Sequence, residues 1–218
     1  MSELLDPKDF IITRKRKKYK FALFRNSPLC FEADAWKNEP SVDVLEMGAG
    51  TGLFSVAQAE LASNNQFLAM DVKADRLQKG AKEATDKNME NVRFLRGYAD
   101  QLPELLPAHS LKAIWVTFPD PFPKARAAKR RLLHPHFLAL YASLLRKDGA
   151  LYFKTDAHIL FEWGLEQLVA IGWNIQELSF DLHESSLDDS YKLKTTYEHR
   201  YMSEGLKIHF VKATPPSL

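Results

Sequence analysis

The chain has 218 residues, 45% of them hydrophobic and 27% charged, which leaves room for one large domain with its own core and matches an ordinary globular composition. No apolar run reaches the roughly 20 residues of a membrane span, and the opening Met1–Asp6 lacks the basic start and apolar stretch of a secretory signal. The net charge of +2 says little about partners, while Cys30, the only cysteine, excludes an internal disulfide and fits a reducing cytoplasm, the expected location.

Residues 1–40 read as an arm leading into a domain, with Arg14, Lys15, Arg16, Lys17, Lys18 and Lys20 as a basic block. That block is either a solvated arm or part of a footprint for a polyanion. Val42–Glu46 is a short apolar run stopped by glycines, hence a buried strand entering a turn. Leu53–Leu61 fits a helix, Phe67–Asp71 a second strand, Asp75–Thr85 a second helix and Val92–Leu95 a third strand. Leu111–Phe118 is a fourth strand, Phe137–Leu145 a helix, Ala150–Lys154 a fifth strand and Ala157–Val169 a helix. Trp173–Phe180 and Leu206–Val211 read as a closing pair of strands, and Pro215-Pro216 marks a tail over 213–218. Strands alternating with helices imply an α/β domain over 41–212. Its expected form is a Rossmann-like, mostly parallel sheet with an antiparallel closing strand and helices on both faces.

The first strand ends in Glu46-Met-Gly48-Ala-Gly50-Thr-Gly52. Glycines at the carboxyl end of a strand let the backbone turn tightly and approach a ligand. A dinucleotide fingerprint needs glycine at position 53, where Leu53 stands, which argues against a nicotinamide-dependent dehydrogenase. The spacing present, acid-x-Gly-x-Gly-x-Gly, resembles that of S-adenosylmethionine-dependent methyltransferases. Asp71 ends the second strand, where a carboxylate suits both hydroxyls of a ribose, or else caps the helix that follows. Glu46 is a candidate for the cationic methionine end, directly or through water, or for holding the loop from within.

Thr117–Leu132 carries the substrate information. Pro119, Pro121 and Pro123 restrict the backbone and remove donors, so Asp120 sits on a stiff turn at the end of the fourth strand. Lys124, Arg126, Lys129, Arg130 and Arg131 follow. An acidic turn backed by cations suits a nucleobase site beside a phosphate-binding surface.

At this segment the chain resembles the bacterial tRNA (guanine-N7)-methyltransferase family, whose pattern is Asp-Pro-Trp-Pro-Lys-x-Arg-His-x-Lys-Arg-Arg. It keeps Asp120, Pro121, Pro123, Lys124, Arg126, Lys129, Arg130 and Arg131, and departs at Phe122 and Ala127. Phe153-Lys154-Thr155-Asp156 matches the family's Phe-Lys-Thr-Asp, and Thr195-Thr196-Tyr197-Glu198 its Thr-x-Tyr-Glu, so that the likeness spans roughly 40–212. The family often has Asp where this chain has Tyr98, leaving the adenine contact to the Tyr98 backbone or to Asp100.

The resemblance implies transfer of methyl from S-adenosylmethionine to N7 of guanine 46 in the tRNA variable loop. Asp120 becomes the central catalytic candidate. Glu46, Gly48, Gly50, Asp71, Tyr98 and Asp120 become cofactor-binding candidates. Lys124, Asp156, Thr195, Thr196, Tyr197 and Glu198 become substrate-binding candidates, Asp156 alternatively capping the next helix. Arg126, Lys129, Arg130 and Arg131, with Arg14 and Arg16 of the arm, are candidates for RNA backbone. The expected partner is tRNA, with no membrane, as a monomer or homodimer. His134, His136 and Cys30 form no metal-ligand grouping, so no metal is expected. The competing readings are a methyltransferase for another RNA or a small molecule, and a non-catalytic RNA-binding module of the same fold.

Overall fold

The computed structural model of the protein describes residues 4, 6, 15–38 and 41–216. Arg14 lies outside the described residues, as do the side chains of Arg16, Thr196 and Tyr197.

Helix α1 (Lys15–Asn26) leads to strand β1 (Cys30–Glu32). Then come β2 (Val44–Met47), α2 (Leu53–Leu61), β3 (Phe67–Asp71), α3 (Ala74–Asp86), β4 (Val92–Arg96), α4 (Leu102–Leu105) and β5 (Leu111–Thr117). The second half holds α5 (Pro135–Leu144), β6 (Leu145–Thr155), α6 (His158–Ala170), β7 (Asn174–Ser179), α7 (Thr196–Ser203) and β8 (His209–Thr214).

The strands join one sheet in the order β1-β4-β3-β2-β5-β6-β8-β7. Every residue of β2 and β3 is buried, as in parallel strands covered on both faces. The pairs from β1 through β6 are parallel, while β8 runs antiparallel to both β6 and β7. The closing strand pair is present, with β8 starting three residues later than expected and running through Thr214 into the expected tail. The order reverses at β2, with β3 on one side and β5 on the other, and this switch point opens a crevice at the strands' carboxyl ends.

One apolar layer, around Leu45, Met70, Ile114, Leu138 and Phe161, fills one side of the sheet. A second, around Phe54, Leu77, Phe94, Trp115 and Phe210, fills the other. Trp115 and Trp173 are core residues, 5% and 4% exposed.

Several elements depart from the sequence expectation, the short α4 among them. Helix α1 carries Ala22 and Phe24 into the core and packs on α3, although its first half is nearly all cations and shows no helical apolar stripe. Strand β1 pairs with β4 along the sheet edge through only three residues, too few for a visible period, so the lead-in before residue 41 contributes to the sheet. Helix α7 opens with a capping box in which the Thr195 hydroxyl accepts from Glu198 N and the Glu198 carboxylate accepts from Thr195 N, both at 3.0 Å. That Thr-x-x-Glu signature was present in the sequence as a helix start.

Candidate active site

The glycine loop after β2 is braced from β3. Gly50 N donates to Asp71 Oδ2 at 2.9 Å and Lys73 N to Asp71 Oδ1 at 2.8 Å. Burial pushes the Asp71 carboxyl above its usual range, and these backbone donors pull it back. Gly50 sits at φ +56° with no heavy atom within 4 Å of the place a Cβ would take. Nothing in the protein fills that space, so backbone faces open cavity there. Gly52, at φ +69°, is tight for another reason: a Cβ would stand 2.6 Å from Phe94.

Glu46 lies beneath this loop, 2% exposed. Its Oε2 accepts from Ser55 Oγ at 2.6 Å and Ser55 N at 3.2 Å, and its Oε1 from Thr117 Oγ1 at 2.8 Å. Burial raises its pKa to about 7 against these bonds. Both oxygens thus serve the fold, tying the start of α2 to the end of β5.

The segment after β5 is held in an unusual shape. Phe118 and Phe122, which flank Pro119-Asp120-Pro121, both have positive φ, +48° and +41°. Each such residue costs an L side chain about 1–2 kcal/mol, so the surroundings must impose the conformation. Phe118 N donates to Lys154 O at 2.8 Å, fixing one end. Arg131 fixes the other: Nε and Nη2 donate to the carbonyls of Pro121 and Phe122 at 3.1 Å each. Its guanidinium lies 4.5 Å from the Trp163 ring centroid. Asp120 itself is exposed at the cavity rim.

A cavity of about 800 Å³ gathers these parts. Its walls include Glu46, Gly48, Gly50, Asp71, Tyr98, Asp120, Asp156 and Thr195 from the expected set, and Lys129 and Arg130 at its mouth. Sequence reasoning missed Lys73, Arg76, Phe118, Leu132, Phe137 and Tyr201, which also line it. Most are ordinary residues on loops and helix starts, and Tyr201 comes from the second half of α7. Tyr98 is 63% exposed on this wall, and beside it Asp100 Oδ1 meets His136 Nε2 at 2.6 Å. Burial raises the Asp156 carboxyl above its usual range. Lys124 and Arg126 are exposed and stand outside the cavity wall.

Two residues of the expected set are engaged within the protein. Glu198 has no solvent exposure: Oε1 meets Lys154 Nζ and His183 Nε2, both at 2.8 Å, and Oε2 accepts from Thr195 N. Its carboxylate is engaged inside the protein. Arg131 is 8% exposed and turned onto the Asp120 segment, whereas Arg126 and Lys129 are exposed.

Residues 40–211 match a family model described as "Putative methyltransferase". The chain is 35% identical over 198 residues to the tRNA (guanine-N(7)-)-methyltransferase of Brevibacillus brevis, covering 89% of this chain and 91% of that one. It is 35% identical over 180 residues to the protein of the same name from Cytophaga hutchinsonii, covering 81% of each. Among solved structures, the 16S rRNA methyltransferase KamB superposes with a TM-score of 0.59 over 85% of this chain and 91% of its own, at 18% identity, a likeness of fold.

Proposed function

The chain belongs to the tRNA (guanine-N7)-methyltransferase family, and from that premise we propose that it methylates N7 of the variable-loop guanine 46 of tRNA, using S-adenosylmethionine. The observation that carries this reading is one juxtaposition. The Gly50–Asp71 cradle and the clamped Asp120 turn face the same cavity, and Lys129 and Arg130 stand at its mouth.

The residues present fit the methyl donor. Gly50 leaves a space that a Cβ would fill, and the Asp71 carboxylate at the cavity wall suits a ribose diol. When bound, S-adenosylmethionine supplies an electrophilic methyl on a sulfonium, which the guanine N7 lone pair takes as the S–C bond breaks, with no proton to remove first. The demands on the protein are then alignment and tolerance of charge growing on the purine. Asp120 meets the second demand, because a carboxylate stabilises cationic N7-methylguanine more than neutral guanine. It also accepts from N1–H and N2–H₂, a donor pair that selects guanine. Asp156 and Thr195 bound the base pocket, and Lys124, Arg126, Lys129 and Arg130 hold RNA backbone. No helix among the described residues is long and apolar enough to cross a membrane.

The test uses unmodified tRNA transcript and methyl-labelled S-adenosylmethionine, with label mapped by cleavage at N7-methylguanine. Label at the variable-loop guanine, lost when that base is changed to adenine, is the expected result. A protein that binds the donor and leaves that guanine unlabelled overturns the reading.

A further inference from the structure

We propose that Arg131 is a positioning residue for the reaction: it acts through the backbone carbonyls of the Asp120 turn and touches neither tRNA nor the methyl donor. The inference rests on the assignment of Asp120 to the guanine site.

Arg131 sits in a run of five cations that sequence alone treats as equivalent. The structure separates them. Lys124, Arg126, Lys129 and Arg130 are exposed, whereas Arg131 is 8% exposed. Its guanidinium is sandwiched between two things. On one side are the carbonyls of Pro121 and Phe122, reached by three donor contacts of 3.1 to 3.4 Å. On the other is the face of Trp163, presented by α6. The rigid fork matches two successive carbonyls, which a lysine's single charged tip does not.

What it holds is a backbone that would not stay in place unaided. Phe122 has a φ of +41°, and Pro121 and Pro123 on either side supply no N–H with which the turn could brace itself. The carbonyls that Arg131 grips belong to the two residues directly after Asp120. The same residue reaches the other half of the site through its neighbour. Leu132 lines the cavity and packs so closely beneath Gly48 that a Cβ there would lie 2.8 Å from Leu132 Cδ1. Arg131-Leu132 therefore sets the turn that carries Asp120 against the glycine loop.

The experiment compares Arg131→Met with Arg126→Ala in methyl transfer to tRNA, in tRNA binding across a salt series, and in amide hydrogen exchange of the full-length protein. For Arg131→Met the expected result is a fall in kcat of at least about tenfold. The KM for tRNA and the slope of log Kd against log salt stay at their wild-type values. The amide of Phe118, which is bonded to Lys154 O, exchanges at least tenfold faster. Arg126→Ala weakens binding and flattens the salt slope by about one. Arg131→Lys, which keeps the charge and loses the fork, recovers only part of the lost kcat. If Arg131→Met unfolds, Trp163→Leu removes the stacking face and leaves the charge, and it lowers kcat and speeds exchange in the same turn. A flattened salt slope with kcat preserved, or unchanged exchange in the turn, overturns the proposal. Absence of methyl transfer by the wild-type protein counts against the assigned reaction, and the exchange data alone then decide whether Arg131 holds the turn.

Discussion

The Lys154 ammonium and the Glu198 carboxylate meet at 2.8 Å, each with a side chain wholly shielded from solvent. Lys154 spends its other donors on the carbonyls of Tyr191 and Leu193, at 2.9 and 3.0 Å. One buried cation thus sews the 191–198 stretch to β6, whose carbonyl at Lys154 also receives Phe118 N. Removing Lys154 takes the cation from a buried carboxylate and leaves it only His183 and the Thr195 amide. Lys154→Met should cost about 3–5 kcal/mol of stability in urea denaturation. Adding Glu198→Gln to that variant should recover part of the loss, because the stranded charge goes with it. Strictly additive losses would show that the two groups are not coupled.

Glu46 makes stability fall as pH rises. Its folded pKa of about 7 stands above the ordinary 4.5. The folded state therefore holds a proton that the unfolded chain has already released between those values. That contribution is complete below about pH 4.5 and is lost through pH 7, up to about 3 kcal/mol. Glu46→Gln keeps an acceptor for Ser55 and offers its amide to the Thr117 hydroxyl oxygen, without a charge to bury. Its stability relative to wild type should climb between pH 5 and pH 8, read from denaturant midpoints at each pH. A difference that does not move with pH would remove Glu46 from this role.

Gly50→Ala separates backbone shape from ligand space. At φ +56° the new methyl costs about 1–2 kcal/mol, and with no protein atom within 4 Å it projects into the cavity. We expect a lowered Tm together with loss of most of the thermal stabilisation that S-adenosylmethionine gives the wild type. Full retention of that stabilisation would place the donor elsewhere.

Asp120→Ala should reduce kcat by about a hundredfold or more while tRNA affinity changes little, since the carboxylate is matched to charge that appears during transfer. Wild-type affinity should itself fall with salt at a slope near −3, about what four exposed cations release. Filter binding at several salt concentrations and single-turnover rates at saturating tRNA give the two numbers. A kcat left intact by Asp120→Ala, or binding indifferent to salt, would contradict the assignment.

Most strands and helices were legible because apolar runs and glycine or proline stops are local signals. Leu53–Leu61 and Phe67–Asp71 fall where the pattern puts them. The acid-glycine loop, Asp71 and the Pro-Asp-Pro turn were legible too, because each needs a particular residue type at the end of a strand. The sequence by itself thus determined the sheet's alternation, the loops that meet at its switch point and the chemistry they carry. Only the tertiary structure decided which charges face outward. Arg130 and Arg131 are adjacent and chemically identical, yet one stands at the cavity mouth and the other is turned onto Trp163. Glu198 and Lys154 are 44 positions apart and meet only because the 191–198 stretch is brought against Lys154 of β6. The reason is physical: burying a charge is favourable only when partners from distant segments arrive together, and no local pattern encodes that arrival.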